Sequence, residues 1–229
     1  RDALWVQENA PEKVPLKQEI YARFEAVSPP EATIASSTSS LVWSVLSAGM
    51  RAPERLITAH PFNPPHLMPL VELYGPDRGR VEQAAAFFSA FDRHCVMLKR
   101  EAVGHIANRL SSALWREAVN MVVEGIADVE AIDQALVYGP GLRWSVIGAH
   151  LAYHLGGGAG GIAHYLAHLG PSQERRWQDL GQPRLDPATI EKLIAGIEAE
   201  ADGRSIATLE ALRDKALIAA QIALRNQRP

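Results

Sequence analysis

The chain holds 229 residues, room for one large domain or two small ones at about 150 residues per domain. Its 47% hydrophobic and 21% charged content is that of a folded globular protein and excludes a disordered chain. A net charge of −3 argues against a nucleic-acid or anionic-membrane surface, no apolar run is long enough to span a bilayer, and the single cysteine, Cys95, excludes an internal disulfide framework and fits a reducing, cytoplasmic setting. Residues 1–100 alternate strand-like and helix-like stretches. Leu4–Glu8 reads as a short strand, and Pro15–Phe24 as an amphipathic helix with Leu16, Ile20, Tyr21 and Phe24 at helical spacing. Thr33–Ser37 is strand-like, and Leu41–Leu46 a short helical piece. Leu56–His60 is a further strand, ended by the Pro-rich stretch His60–Pro65, and Leu70–Leu73 another, ended by Gly75–Pro76. Gly79–Phe91 is helical, and Cys95–Leu98 is the last strand. This alternation predicts an α/β layer architecture. The chain opens at Arg1 inside structured-looking sequence, so a further N-terminal portion is expected upstream.

From Glu101 on, the period changes. Val103, Ile106, Ala107, Leu110, Leu114, Ala118, Met121 and Val122 form one apolar stripe over about five helical turns. Gly125 suits a helix end, and Asp128 suits the cap of the next helix, Val129–Leu136. Helices follow at Ile162–Leu169, Pro187–Glu200 and Ile206–Arg225, and no strand is expected after Leu98. The expected organisation is an α/β domain over residues 1–100 and an all-α domain over residues 101–229.

His60 and Glu72 sit at or near the ends of predicted strands, with the Pro-rich turn between them. If the strands are neighbours, the two side chains meet, and a carboxylate partner holds a histidine in one tautomer, as a general base needs. The plainer alternative is a surface histidine in a loop and a solvated glutamate. Asn108 reads as a solvent-facing residue one step off the stripe, and the hydroxyl cluster Ser36–Ser40 as a cap or turn before Leu41. Gly156–Gly161 contains G-x-G-x-x-G, but with no strand before it and no βαβ unit after it, a flexible helix-to-helix loop is the better reading. His150/His154 and His164/His168 each share a helix face, yet nothing completes either pair as a zinc set, so no metal is expected. Trp144, Tyr153 and Tyr165 surround the Gly loop as core residues, or as a pocket wall for a cation.

Four segments occur in order: Ala35-Ser36-Ser37-Thr38-Ser39-Ser40-Leu41, His60-Pro61-Phe62-Asn63-Pro64, Leu70-Val71-Glu72-Leu73 and Gly104-His105-Ile106-Ala107-Asn108-Arg109-Leu110. With them the chain resembles the 3-hydroxyacyl-CoA dehydrogenase superfamily over nearly its whole length. Gly139–Trp144, the Gly loop and Glu12–Lys17 point to the branch that holds L-carnitine dehydrogenase and λ-crystallin. The resemblance implies a partial Rossmann-type NAD-binding domain, followed by a helical domain that closes over the substrate and makes a homodimer. It implies His60 as the base, Glu72 as its partner, and Ser39 and Asn108 as residues that position the substrate oxygen. It implies Glu12, Lys17, Ser39 and Asn63 at the NAD. The family's first strand, Gly-rich turn and first helix are not among these residues, so these 229 residues alone are expected to bind NADH weakly. Gly141-Leu142-Arg143-Trp144 departs from the acyl-CoA enzymes and favours a small, free 3-hydroxy acid over a CoA thioester. The expected reaction interconverts that acid and its 3-keto form. The alternative is an inactive, crystallin-like structural homologue.

Overall fold

The structure, a computed structural model, describes residues 2–225. The chain divides into two compact units, one up to Ser112 and one from Ala113 onward. In the first, β1 (Trp5–Glu8), β2 (Thr33–Ser36), β3 (Leu56–Pro61), β4 (Leu70–Tyr74) and β5 (His94–Met97) form one sheet in that spatial order. Helices α1 (Val14–Val27), α2 (Trp43–Leu46) and α3 (Arg78–Ser89) lie between the strands in the chain. Every strand and helix read from residues 1–100 is present. Strands β1, β2 and β3 run parallel, as helical connections between them allow. The short Pro-rich loop after β3 leaves no room for a crossover, so β4 returns antiparallel to β3. Helix α3 then restores a parallel pairing between β4 and β5.

Alternation sorts the side chains onto two faces. Ala35, Ile57, Ala59, Val71 and Leu73 pack with Val81 and Ala84 of α3. Ile34 and Leu56 pack with Tyr21 of α1 and Leu46 of α2. His60 lies an even number of residues from Leu56 and so shares its face. Glu72 stands directly opposite His60 in the antiparallel register.

A buried polar knot holds α1 to the sheet. The Glu8 carboxylate, at the end of β1, accepts hydrogen bonds from Lys17 Nζ at 2.9 and 3.0 Å, the Tyr21 hydroxyl at 2.7 Å and the Ser36 hydroxyl at 2.9 Å. Lys17 also donates to the Ala10 carbonyl at 3.0 Å and is 1% exposed. Burial pushes the Glu8 carboxyl up, but the donors from Tyr21, Lys17 and Ser36 outweigh it and hold the carboxyl below its usual range.

Helix α4 (Ala107–Val123) runs across the division between the units. It is followed by α5 (Val129–Leu136), α6 (Leu142–Val146), α7 (Ala149–Gly156), α8 (Gly161–Asp179), α9 (Pro187–Ala201) and α10 (Ile206–Leu224). No strand follows β5 among the described residues. Asp128 caps α5 by accepting the Ala131 N–H at 2.8 Å. The helix expected from Glu101 instead starts at Ala107, because Gly104 (φ +73°) and His105 (φ +50°) are left-handed and cannot continue a helical turn. The sheet thus ends near the expected domain boundary after residue 100, while the compact units separate later, inside α4. Helices α6 and α7 were not legible beside Pro140 and Gly148, and α8 runs on past Leu169 through Pro171. The Gly156–Gly161 segment is a tight turn and not a loose loop. A Cβ on Gly157 would lie 1.8 Å from the Gly161 carbonyl, so only glycine fits there.

Replacing Lys17 with Met strands a buried carboxylate. Urea unfolding is expected to show a loss of about 3–5 kcal/mol for Lys17→Met, and a smaller loss when Glu8→Gln is added. Equal losses for the single and double variants would mean that the pair is not what holds α1.

Candidate active site

His60 Nδ1 and Glu72 Oε2 are 2.9 Å apart, and the two residues are 3% and 0% exposed. An ionised carboxylate only accepts, so Nδ1 carries a hydrogen, and in the neutral ring the lone pair is on Nε2. The second oxygen, Oε1, accepts the Ile106 N–H at 2.8 Å and the Ala107 N–H at 3.0 Å. These amides open α4, where the helix dipole favours negative charge, and the left-handed pair Gly104–His105 aims them at the carboxylate. Burial pushes the Glu72 carboxyl up; the His60 hydrogen bond, with those of Ala107 and Ile106, overrides burial and holds it below the usual range. The alternative of a surface histidine and a solvated glutamate is excluded by their burial.

The hydroxyl loop after β2 is held from two sides. On one side Glu12 Oε1 accepts the N–H groups of Ser39 at 2.9 Å and Ser40 at 3.1 Å, together with the Thr38 hydroxyl. Lys17 Nζ lies 3.4 Å from Glu12 Oε2. Burial raises the Glu12 carboxyl, but the Thr38 hydroxyl, the Ser40 N–H, Lys17 and the Ser39 N–H bring it down to about 2. On the other side His105 Nε2 donates to the Thr38 carbonyl at 3.0 Å and Asn108 Nδ2 to the Ser39 carbonyl at 2.9 Å. The Leu41 N–H closes the turn on the Thr38 hydroxyl at 3.0 Å, as the hydroxyl cluster predicted.

Ser39 and Asn108 are therefore brought together, and Asn108 is half-buried where the stripe predicted a solvent-facing residue. The stripe misplaces it because α4 begins in the sheet-bearing unit. The ring centroids of His105 and His60 are 5.0 Å apart, which ties the hydroxyl loop to the His60–Glu72 pair. Glu12 joins this loop, while Lys17 is enclosed beneath it, and Asn63 lies exposed in the loop after β3. Two residues on which the arrangement depends, Glu8 and His105, were not singled out in the sequence. The only available signal for His105 was a histidine directly after a glycine at the start of a helix.

The remaining groups lie elsewhere. His154 Nδ1 accepts the Ile162 N–H at 3.1 Å across the Gly turn, and the His164 and His168 rings stack at 4.1 Å. Among the described residues no three histidine, cysteine or acidic side chains are grouped to hold a metal. Tyr153 and buried Tyr165 meet at 5.0 Å, whereas Trp144 lines a separate apolar cavity with Trp115, Met121 and Ile132. The core reading thus fits Tyr165 best. No helix among the described residues is long and apolar enough to cross a membrane.

Glu12 titrates lower in the folded chain than its ordinary 4.5, so the stability it adds is fully present above pH 4.5 and is lost as pH falls toward about 2. Thermal melts of Glu12→Gln are expected to show a shallower decline than the parent across that window. Identical acid limbs would mean that Glu12 does not anchor the loop.

Residues 1–102 match the 3-hydroxyacyl-CoA dehydrogenase NAD binding domain, and residues 104–186 match the C-terminal domain of the same enzymes. The L-carnitine dehydrogenase of Streptomyces griseus is 47% identical over 220 residues, which is 95% of this chain and 66% of that protein. The L-carnitine dehydrogenase of Streptomyces coelicolor is 46% identical over 220 residues, covering 95% of this chain and 69% of that protein. Among solved structures, an NAD+-dependent dismutase, 5-formyl-3-hydroxy-2-methylpyridine 4-carboxylic acid 5-dehydrogenase, superposes with a TM-score of 0.80 at 25% identity. That match covers 98% of this chain and 74% of the other.

Proposed function

The chain belongs to the 3-hydroxyacyl-CoA dehydrogenase family, on its L-carnitine dehydrogenase branch, and from that premise we propose that it oxidises a free 3-hydroxy acid of the carnitine type to the 3-keto form, with His60 as general base. The observation that carries the reading is the buried His60–Glu72 pair, which engages Nδ1 and leaves Nε2 as the nitrogen for the substrate. The substrate class follows the named relatives and the Gly141–Trp144 segment, which departs from the acyl-CoA pattern.

The cofactor is NAD, in keeping with the match of residues 1–102 to the family's nucleotide domain. The residues present suit it: polar groups gather at the carboxyl ends of the parallel strands β1, β2 and β3, the side of such sheets that takes nucleotides. Of these, Glu12, Ser39 and Asn63 would hold the nicotinamide half, while Lys17, with its ammonium enclosed, would act through Glu12. When bound, NAD supplies the hydride acceptor. The substrate hydroxyl gives its proton to His60 Nε2 as C3 becomes a carbonyl, and the fixed charge of Glu72 faces the ring that takes up that proton. Ser39 and the second hydrogen on the Asn108 amide nitrogen orient the substrate oxygen, which as a carbonyl only accepts.

With the full chain, L-carnitine, NAD and absorbance at the NADH band, His60→Gln is expected to lower kcat by roughly 10²–10⁴-fold while KM changes little. Glu72→Gln is expected to stay folded and to slow the reaction. Parent-like turnover in His60→Gln would remove the base assignment. Turnover of 3-hydroxybutyryl-CoA in preference to L-carnitine would overturn the substrate class.

A homodimer through the helical unit is part of the same reading. Helix α10 has no buried residue, although it carries Ile206, Leu212, Ile218 and Ile222, and α9 exposes Ile190, Ile194 and Ile197. Apolar faces of this extent are covered in stable proteins, most often by a second copy. Light scattering is expected to give twice the chain mass; a monomer would overturn the dimer. We place the protein in the cytoplasm on the strength of its one thiol, Cys95, which burial keeps protonated.

A further inference from the structure

His105 is buried at 3% exposure and takes no part in the proton transfer described above. Its backbone is left-handed, a conformation that a glycine takes freely and a residue with a β-carbon does not. A histidine in that conformation, with its ring buried and hydrogen-bonded, points to a use for the ring. The ring bridges two parts of the site. Nε2 contacts the Thr38 carbonyl at 3.0 Å, and a carbonyl only accepts, so Nε2 carries the hydrogen. The ring centre stands 5.0 Å from that of His60, at 42° between planes. Asn108 holds the next carbonyl, Ser39, and Glu12 holds the amides of Ser39 and Ser40, so His105 is the member of this set that also contacts the base.

We propose that His105 is a positioning residue for the reaction: its Nε2–H on the Thr38 carbonyl and its ring against His60 set the distance between the base and the loop that carries Ser39. The proposal rests on the reading of His60 as the base. The charged and titratable groups around His105 are His60 on β3, Glu72 on β4 and Glu12 beyond β1, with Lys99, Arg100 and Arg109 lining the groove that His105 also lines. Burial pushes the His105 imidazole down, outweighing the Thr38 carbonyl, which favours the charged form. A neutral ring leaves Glu72 to His60 alone and adds no cation beside the base.

The test combines kinetics with spectroscopy on the full chain. His105→Phe keeps an aromatic ring and the same backbone demand but lacks the N–H; it is expected to lower kcat roughly 10- to 100-fold with KM for NAD unmoved, the scale of a reacting group displaced by about 1 Å. His105→Gln, which restores an amide N–H, is expected to recover most of that loss. Nitrogen NMR of the parent protein is expected to show His105 as the neutral Nε2–H tautomer at pH 7. Parent-like kcat in His105→Phe, beside an impaired His60→Gln, would overturn this proposal and leave the base assignment standing. Should His105→Phe fail to fold, an Nδ1–H tautomer or a charged ring in the parent protein would overturn it instead.

Discussion

A carboxylate shut away from water stays ionised only when each of its oxygens is given donors, and Glu72 meets that condition through parts of the chain that are distant in sequence. One oxygen faces the imidazole across an antiparallel pair of strands; the other receives the opening amides of a helix. The strand pairing sets the direction of His60, the helix start secures the charge that orients it, and the left-handed turn at Gly104–His105 lets the helix start reach that oxygen.

Glu12 plays the same part for the hydroxyl loop, one layer further out. Its single oxygen gathers two amides and a hydroxyl, and it in turn leans on Lys17, whose charge is shared with Glu8 below. The result is a column of alternating charge, Glu8–Lys17–Glu12, running from the polar knot beneath α1 to the loop that carries Ser39. Such an arrangement gives a short, hydroxyl-rich segment a defined shape although it contributes little apolar surface of its own.

Much of this is written locally in the chain. The short β-prone runs Leu56–His60 and Leu70–Leu73, with prolines between, announce two strands joined by a turn, and a glutamate inside an otherwise apolar run marks a charge in need of a partner. The dependence of the site on His105 was hidden because a left-handed backbone is uncommon for any residue but glycine, histidine included. The apolar stripe, continuous in sequence from Val103, concealed the break in the helix. Lys17 is a charged residue at helical spacing with the apolar Ile20, Tyr21 and Phe24, and its burial follows from Glu8, which lies in a different element. Asn108 was misread for a related reason: its partner is a backbone carbonyl, and carbonyls leave no trace in a sequence.

The pairing of His60 with Glu72 across β3 and β4 also shapes how this family can vary. Residues 63–67 form a connection outside the ladder, whereas the Phe62 N–H bonds the Leu70 carbonyl and the Met68 and Pro69 carbonyls accept from Arg93 and His94, so the middle of the connection can lengthen or exchange side chains without moving either partner. An insertion within either strand is another matter: one extra residue turns every later side chain to the opposite surface, sending the imidazole or the carboxylate under α3. The hairpin's tip is thus free to change length where its rails, locked by parity, are not.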